Sequence, residues 1–392
     1  MRRPRLPRTV FALAAVSLLT DASSEMIYPL LPLFLSTVLG ASATTLGAIE
    51  GAAESVAALL KLASGAWSDR LTRRKPLVVA GYVLASIVRP LIGLAQGATH
   101  VAALRVTDRI GKGIRTSPRD ALIADAVAPA QRGAAFGLHR AGDHIGGVLG
   151  PVLAFVLLQG FGFSLRTVFL LAAIPAALSL AVLIVGVREE KARRQTATKL
   201  ELAKRKGLGG TYWRYLGVLF LFALGNASDA FLLLRASALG VAAAHVPLLW
   251  AAHHVVKAVA NVPGGALSDR IGRRPLIVAG WAVYAVVYLA FARASTPLHA
   301  WLLFLGYGLY FGLTEGVEKA FVADLVPEHL RGTGYGWFHF TLGLAAFPAS
   351  LLFGVLWDAR GPEVAFGTAA ALAGVASVLL LLTVRGRPIP AQ

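Results

Sequence analysis

Arg105, Asp108, Arg109, Lys112, Thr116, Arg119 and Asp120 lie within one stretch, ALRVTDRIGKGIRTSPRDALIAD. At about 100° per residue their spacing gathers them on one side of a helix. Guanidinium and ammonium groups bind anions, and carboxylates beside them take up or release protons when the surroundings are poor in water. Carboxylates that could meet this face come in pairs. Asp21 and Glu25 are four residues apart, as are Glu50 and Glu54, so each pair points one way from its own helix. The spacing therefore predicts proton chemistry at Asp21, Glu25, Glu50 and Glu54, with Arg105 and Asp108. Arg109, Lys112, Arg115 and Tyr28 are candidates to hold a small molecule.

The second half of the chain supplies a sparser set: Asp229, Arg235, His253, His254, Lys257 and Glu315 are further candidate ligand contacts. Adjacent histidines point in different directions on a helix, so no metal site is expected at His253–His254. His139 and His144 beside Asp143 could titrate or only pack. With no cysteine, the chain cannot form disulfides, thiolate metal sites or a thiol nucleophile. G-x-S-x-G, H-E-x-x-H and a phosphate-binding loop are absent, so no enzyme, no ATP-driven pump and no cofactor are expected.

The elements that must position these residues are hydrophobic. Of 392 residues 56% are hydrophobic and 15% charged, the latter well below the roughly 25% of soluble domains. Mean hydropathy is +0.67. Apolar stretches near 9–38, 43–68, 77–97, 100–124, 133–158, 165–187, 212–239, 244–266, 276–294, 299–323, 334–357 and 362–384 each suffice to cross a bilayer, which takes about 20 residues. The reading is an all-α membrane protein of about twelve spans. A central charge facing lipid costs several kcal/mol, so the stretch from Arg105 to Asp120 must face an interior. The basic start resembles a leader peptide, but apolar character resumes after Asp21, which favours a retained first span.

The net charge of +18 excludes little by itself, but its placement does. Arg2, Arg3, Arg5 and Arg8 precede the first span, and residues 188–211 form a basic linker. Loops near 40–45, 98–100, 240–246 and 294–299 hold no Lys or Arg. Such alternation is the positive-inside pattern of a multi-span membrane protein, not a nucleic-acid footprint. It places both termini and the linker on the cytoplasmic side. The halves also repeat: TDASSEMIYPLL (20–31) aligns with GNASDAFLLLRA (225–236), and DAVAPAQRGAAFG (125–137) with DLVPEHLRGTGYG (324–336). The domains read as a six-helix bundle over 1–187, the linker 188–211 and a second bundle over 212–392. In the aligned fourth and tenth spans Arg119–Asp120 falls opposite Glu318–Lys319, which suggests a charge-paired gate.

GAWSDRLTRRKP (65–76) and GALSDRIGRRP (265–275) occupy the loop after the second span of each half. This G-x-x-x-D-R-x-G-R-R phrase, on two six-span halves, resembles the major facilitator superfamily of secondary transporters along essentially the whole chain. The resemblance implies two bundles rocking about a central cavity. Gly65, Asp69, Arg70, Arg73 and Arg74, with Gly265, Asp269, Arg270, Arg273 and Arg274, would form a conformational latch. Thr72 stands where the family usually has glycine, whereas the second copy keeps Gly272. Gly137, Gly146, Gly150 and Pro151 hold the spacing of a fifth-span signature of antiporter-type members, with Ala154 for the last glycine. Asp21 with Arg105 resembles the family's pairing of a first-span acid with a fourth-span arginine. The expected function is proton-coupled antiport, exporting a small organic molecule from a bacterial cytoplasmic membrane, by a monomer whose partners are substrate, protons and lipid. Alternatives are import of an anionic metabolite on Arg109, Lys112 and Arg115, or a receptor that transports nothing.

Overall fold

The computed structural model describes residues 6–68, 71, 73–127, 132–189, 207–327 and 330–384. All regular structure among the described residues is helical. In the first half α1 (Arg8–Ile27) runs on through a 3-10 turn at Tyr28–Leu30, a one-turn α2 (Leu31–Leu33) and a π turn at Phe34–Val38. There follow α3 (Ala43–Ser68), α4 (Lys75–Leu91), α5 (Ala98–Asp125), α6 (Arg132–Phe155), α7 (Leu165–Leu171) and α8 (Ala173–Gly186). The second half comprises α9 (Gly210–Gly225), α10 (Ala230–Ala238), α11 (Val246–Ile271), α12 (Arg273–Arg293), α13 (Pro297–Leu325), α14 (Arg331–Arg360) and α15 (Pro362–Thr383). Every apolar stretch expected to cross is helical. Pro29, which has no N–H, stands where α1 first loosens, and Gly361 at φ 87° lets α14 turn into α15.

Two compact units emerge: residues 1–34 with 56–200, and residues 35–55 with 201–392. In the first, Val10, Leu13 and Val16 of α1 pack with Val78, Tyr82, Leu122, Ile123 and Leu183 from α4, α5 and α8. In the second the interior is aromatic. Phe222 stacks on Trp281 at 4.2 Å, and Tyr284 on Tyr288 at 4.0 Å. The outward faces are apolar instead of polar, with Val185 80% and Leu382 73% exposed. Only lipid covers such faces at low cost. Among the described residues eight helical segments are long and apolar enough to cross a membrane. Those that fall short, α3, α5, α11 and α13, carry most of the acids and bases singled out above, Asp21, Glu25, Asp229 and Arg235 excepted, and they occupy equivalent places in the two repeats.

Candidate functional site

The first unit builds its polar interior on α5. Arg105, Asp108, Arg109 and Arg115 are all buried, whereas Thr116, Arg119 and Asp120, further along the same helix, are partly exposed. Asp108 sits at the centre. It accepts a 2.9 Å hydrogen bond from Arg89 of α4, with Arg105 Nη1 at 3.7 Å and Arg109 Nη1 at 3.8 Å. Arg89 also donates to the Thr20 carbonyl at 3.1 Å and to Ser23 Oγ at 3.3 Å, tying α1 to the cluster. Arg105 lies over the Tyr28 ring at 5.2 Å and Arg115 over Tyr82 at 4.4 Å. Lys112 is partly buried on the same helix. Arg119 donates to its own neighbour Asp120 at 2.9 Å.

Asp21 and Glu25 are partly buried on the face of α1 that meets α6. A Cβ on Gly146 would stand 2.9 Å from the Asp21 Cβ, and one on Gly150 2.9 Å from the Glu25 Cβ. Only glycine allows this approach. Gly137 has nothing within 4 Å, so the packing role expected of it falls to the two glycines further along. Pro151 sits inside α6, which loosens into a π turn at Val156–Gly160. Asp143, one turn before Gly146, accepts from Ser17, from Arg140 at 3.3 Å, and faces His139 Nδ1 at 3.5 Å.

In the second unit the aligned stretch GNASDA breaks its helix, whereas TDASSE continues as α1. Asn, Ser and Asp compete for backbone groups and favour caps over helix interiors. The freed Gly225 carbonyl is taken by the Tyr284 hydroxyl at 2.8 Å, and the Ser228 amide by Ser350 Oγ at 3.2 Å. Asp229 accepts from Tyr307 at 2.5 Å. His253 is buried, with Nδ1 3.2 Å from the Phe304 carbonyl and its ring stacked on Tyr307 at 5.2 Å. His254 is half-buried against Trp250. Lys257 pairs with Glu315 at 3.3 Å and covers the Phe311 ring at 4.1 Å. Glu318 is buried and accepts from Trp281 Nε1 at 2.8 Å; Lys319 is half-buried. Arg235 lies apart from these, donating to the Phe291 and Ala294 carbonyls at the end of α12 and facing Glu363 at 3.5 Å.

The duplicated loops each reach the acid that ends the following polar helix. Arg74 pairs with Asp125 in the first unit, and Arg273 with Asp324 at 2.8 Å in the second. Glu189 accepts from the Arg74 and Lys75 amides at 2.6 and 2.9 Å, capping α4. Arg274 donates to the Leu380 carbonyl at 3.4 Å. Gly65 approaches Ser117 of α5, Arg73 and Arg270 are exposed, and Gly265 has open space. Asp69 and Arg70, and the side chain of Asp269, lie outside the described residues.

Residues 35–55 behave differently from the rest of the first half. Asp358 of α14 accepts from the Ala43 and Thr44 amides at 3.0 and 2.7 Å, so a carboxylate caps the N-terminus of α3. Ser55 donates to the Gly343 carbonyl at 2.8 Å, and a Cβ on Gly354 would meet the Thr44 Cα at 2.8 Å. Glu50 is buried and Glu54 half-buried along this segment. Arg89, Tyr82, Glu189, Asp125, Asp324 and Asp358 are absent from the sequence-derived set. Arg89 alone carries a signal, a charge inside the apolar run 77–97.

Comparison with known proteins agrees along the chain. A family model described as Major Facilitator Superfamily matches residues 13–234 and again 215–392. An uncharacterized MFS-type transporter of Methanocaldococcus jannaschii is 34% identical over 96% of this chain and 95% of its own. The gentisate transporter of Corynebacterium glutamicum is 27% identical, over 87% of this chain and 80% of its own. Among solved structures, a bacterial homologue of the human lysosomal transporter Spinster superposes with a TM-score of 0.75 at 18% identity, covering 97% of this chain and 96% of that one.

Proposed function

The chain belongs to the major facilitator superfamily, a membrane transporter of small molecules and not an enzyme, and we propose that it works as a proton-coupled antiporter exporting a small organic molecule. The observation that carries the proposal is the α1–α6 crossing. Two carboxylates one turn apart, Asp21 and Glu25, sit where Gly146 and Gly150 bring the helices into backbone contact. A carboxylate held there can exchange a proton only as water reaches it, which is what coupling by alternating access needs. The linker side is taken as cytoplasmic from the charge asymmetry of the loops.

A second reading is favoured by the buried arginines around Asp108: an anionic substrate, driven inward by protons. The relative named as a gentisate transporter bears on it, gentisate being a carboxylate. The two readings differ in direction. Purified protein in liposomes with an imposed pH gradient, screened against metabolites and drugs, should move protons only with a transported compound. Asp21→Asn and Glu25→Gln should abolish gradient-driven accumulation while leaving ligand-induced thermal shifts in place. Unchanged accumulation in both variants would remove these carboxylates from coupling, and symport would replace antiport if compound and proton travel the same way.

A further inference from the structure

Between the last turns of α12 and the first turns of α13 lies a groove of about 480 Å³. Its floor is aliphatic, formed by Val286, Leu289, Leu302 and Leu303, and its mouth carries Arg293 and His299. Val286 is 66% exposed and Leu302 57%, so the floor opens sideways on the outer surface of the second unit. Counting crossings from the linker (the α9–α10 segment out, α11 back, α12 out) puts the mouth at the end of the unit opposite the linker.

Arg293 lies in the last turn of α12, where the Phe291 and Ala294 carbonyls are taken by Arg235, as Arg166 takes the Gly93 and Ala95 carbonyls at 2.9 and 2.7 Å in the first unit. The Arg293 side chain is exposed, and it stands beside a loop otherwise without Lys or Arg. His299 accepts the Ser295 amide on Nδ1 at 3.2 Å, so in the neutral ring Nε2 carries the proton and donates. A guanidinium and an imidazole N–H at the headgroup level, above a hydrocarbon-lined cleft, match one chemistry.

We propose that this groove binds one anionic phospholipid, its phosphate on Arg293 and His299 and one acyl chain along Val286, Leu289 and Leu302. Arg293 beside the phosphate favours a headgroup of net negative charge over one whose own ammonium already offsets the phosphate and would face the guanidinium, and the apolar floor selects a chain over a free anion.

Native mass spectrometry of the detergent-purified full chain, titrated with phosphatidylglycerol or phosphatidylcholine, tests this. Phosphatidylglycerol should be retained in one tight copy and phosphatidylcholine should not. Arg293→Gln should weaken that retention by about tenfold, the weight of one charge-assisted hydrogen bond. Leu302→Trp, a change at an exposed position, should block the chain while leaving the melting temperature near wild type. Equal retention of both lipids, or retention untouched by Arg293→Gln, overturns the proposal. So does inorganic phosphate displacing the lipid, or a dimer in wild type that Leu302→Trp dissolves, since the occupant would then be a free anion or a second copy.

Discussion

Asp108 is the charge on which most of the first unit's buried arginines converge, and its direct hydrogen bond comes from Arg89. Removing one member of a buried ion pair leaves the other uncompensated, at a cost of about 3–5 kcal/mol. Arg89→Met should therefore lower stability by about that much in urea or thermal unfolding, softened by Arg105 and Arg109 nearby. Arg89→Met with Asp108→Asn should lose less than the sum of the single changes, the sign of direct coupling. Additive losses would show that the two side chains stabilise the fold separately. The α5 half of this cluster is legible in the sequence because helical spacing aligns Arg105, Asp108 and Arg109. Arg89 is not, because the other charge on its helix, Lys75, lies at the opposite end and sets no periodicity. Only packing of α4 on α5 reveals the pair. Arg235 fails in the opposite sense: its charge is visible, but the carbonyls that hold it come from the end of another helix.

Helices are read best where hydropathy and length agree; each expected crossing is found as helix, though the sixth and seventh are each split in two. What hydropathy cannot give is which glycines touch. On α6 a Cβ at position 150 would stand 2.5 Å from the Ala22 carbonyl oxygen, whereas one at position 137 would meet nothing within 4 Å. Gly150→Val should thus cost about 1–3 kcal/mol of stability by overpacking against α1. Gly137→Ala should be neutral or slightly stabilising, since alanine suits a helix interior better than glycine. Equal melting temperatures for the two variants would mean that α1 and α6 do not meet as closely as described. The interruption between α9 and α10 lies beyond a hydropathy reading as well. The two aligned stretches share Ala-Ser at the same place, yet one is continuous and the other is not. Asn226 and Asp229 stand in the second copy where Asp21 and Ser24 stand in the first.

At the scale of the molecule, the twofold repeat is written plainly in the phrases at 65–76 and 265–275; that an arginine of each meets an acid near the end of the next polar helix is not. The grouping of residues 35–55 with the second half is not written there, because its partners, Asp358, Gly343 and Gly354, lie far away in the chain. Losing a helix cap costs about 1 kcal/mol. With no native cysteine, a Thr44→Cys variant carries a single thiol. Adding Asp358→Ala should speed its labelling by a membrane-impermeant maleimide roughly fivefold. Unchanged labelling would show that the cap does not hold this end in place. The gap in the seventh crossing has a consequence of another kind. Buried helical amides trade hydrogen for deuterium slowly, but the Ser228 amide hangs on one side-chain hydroxyl, that of Ser350. Its isotope uptake should outrun that of both flanking turns, and Ser350→Ala should quicken it further, marking a soft joint in the middle of an otherwise stiff rod.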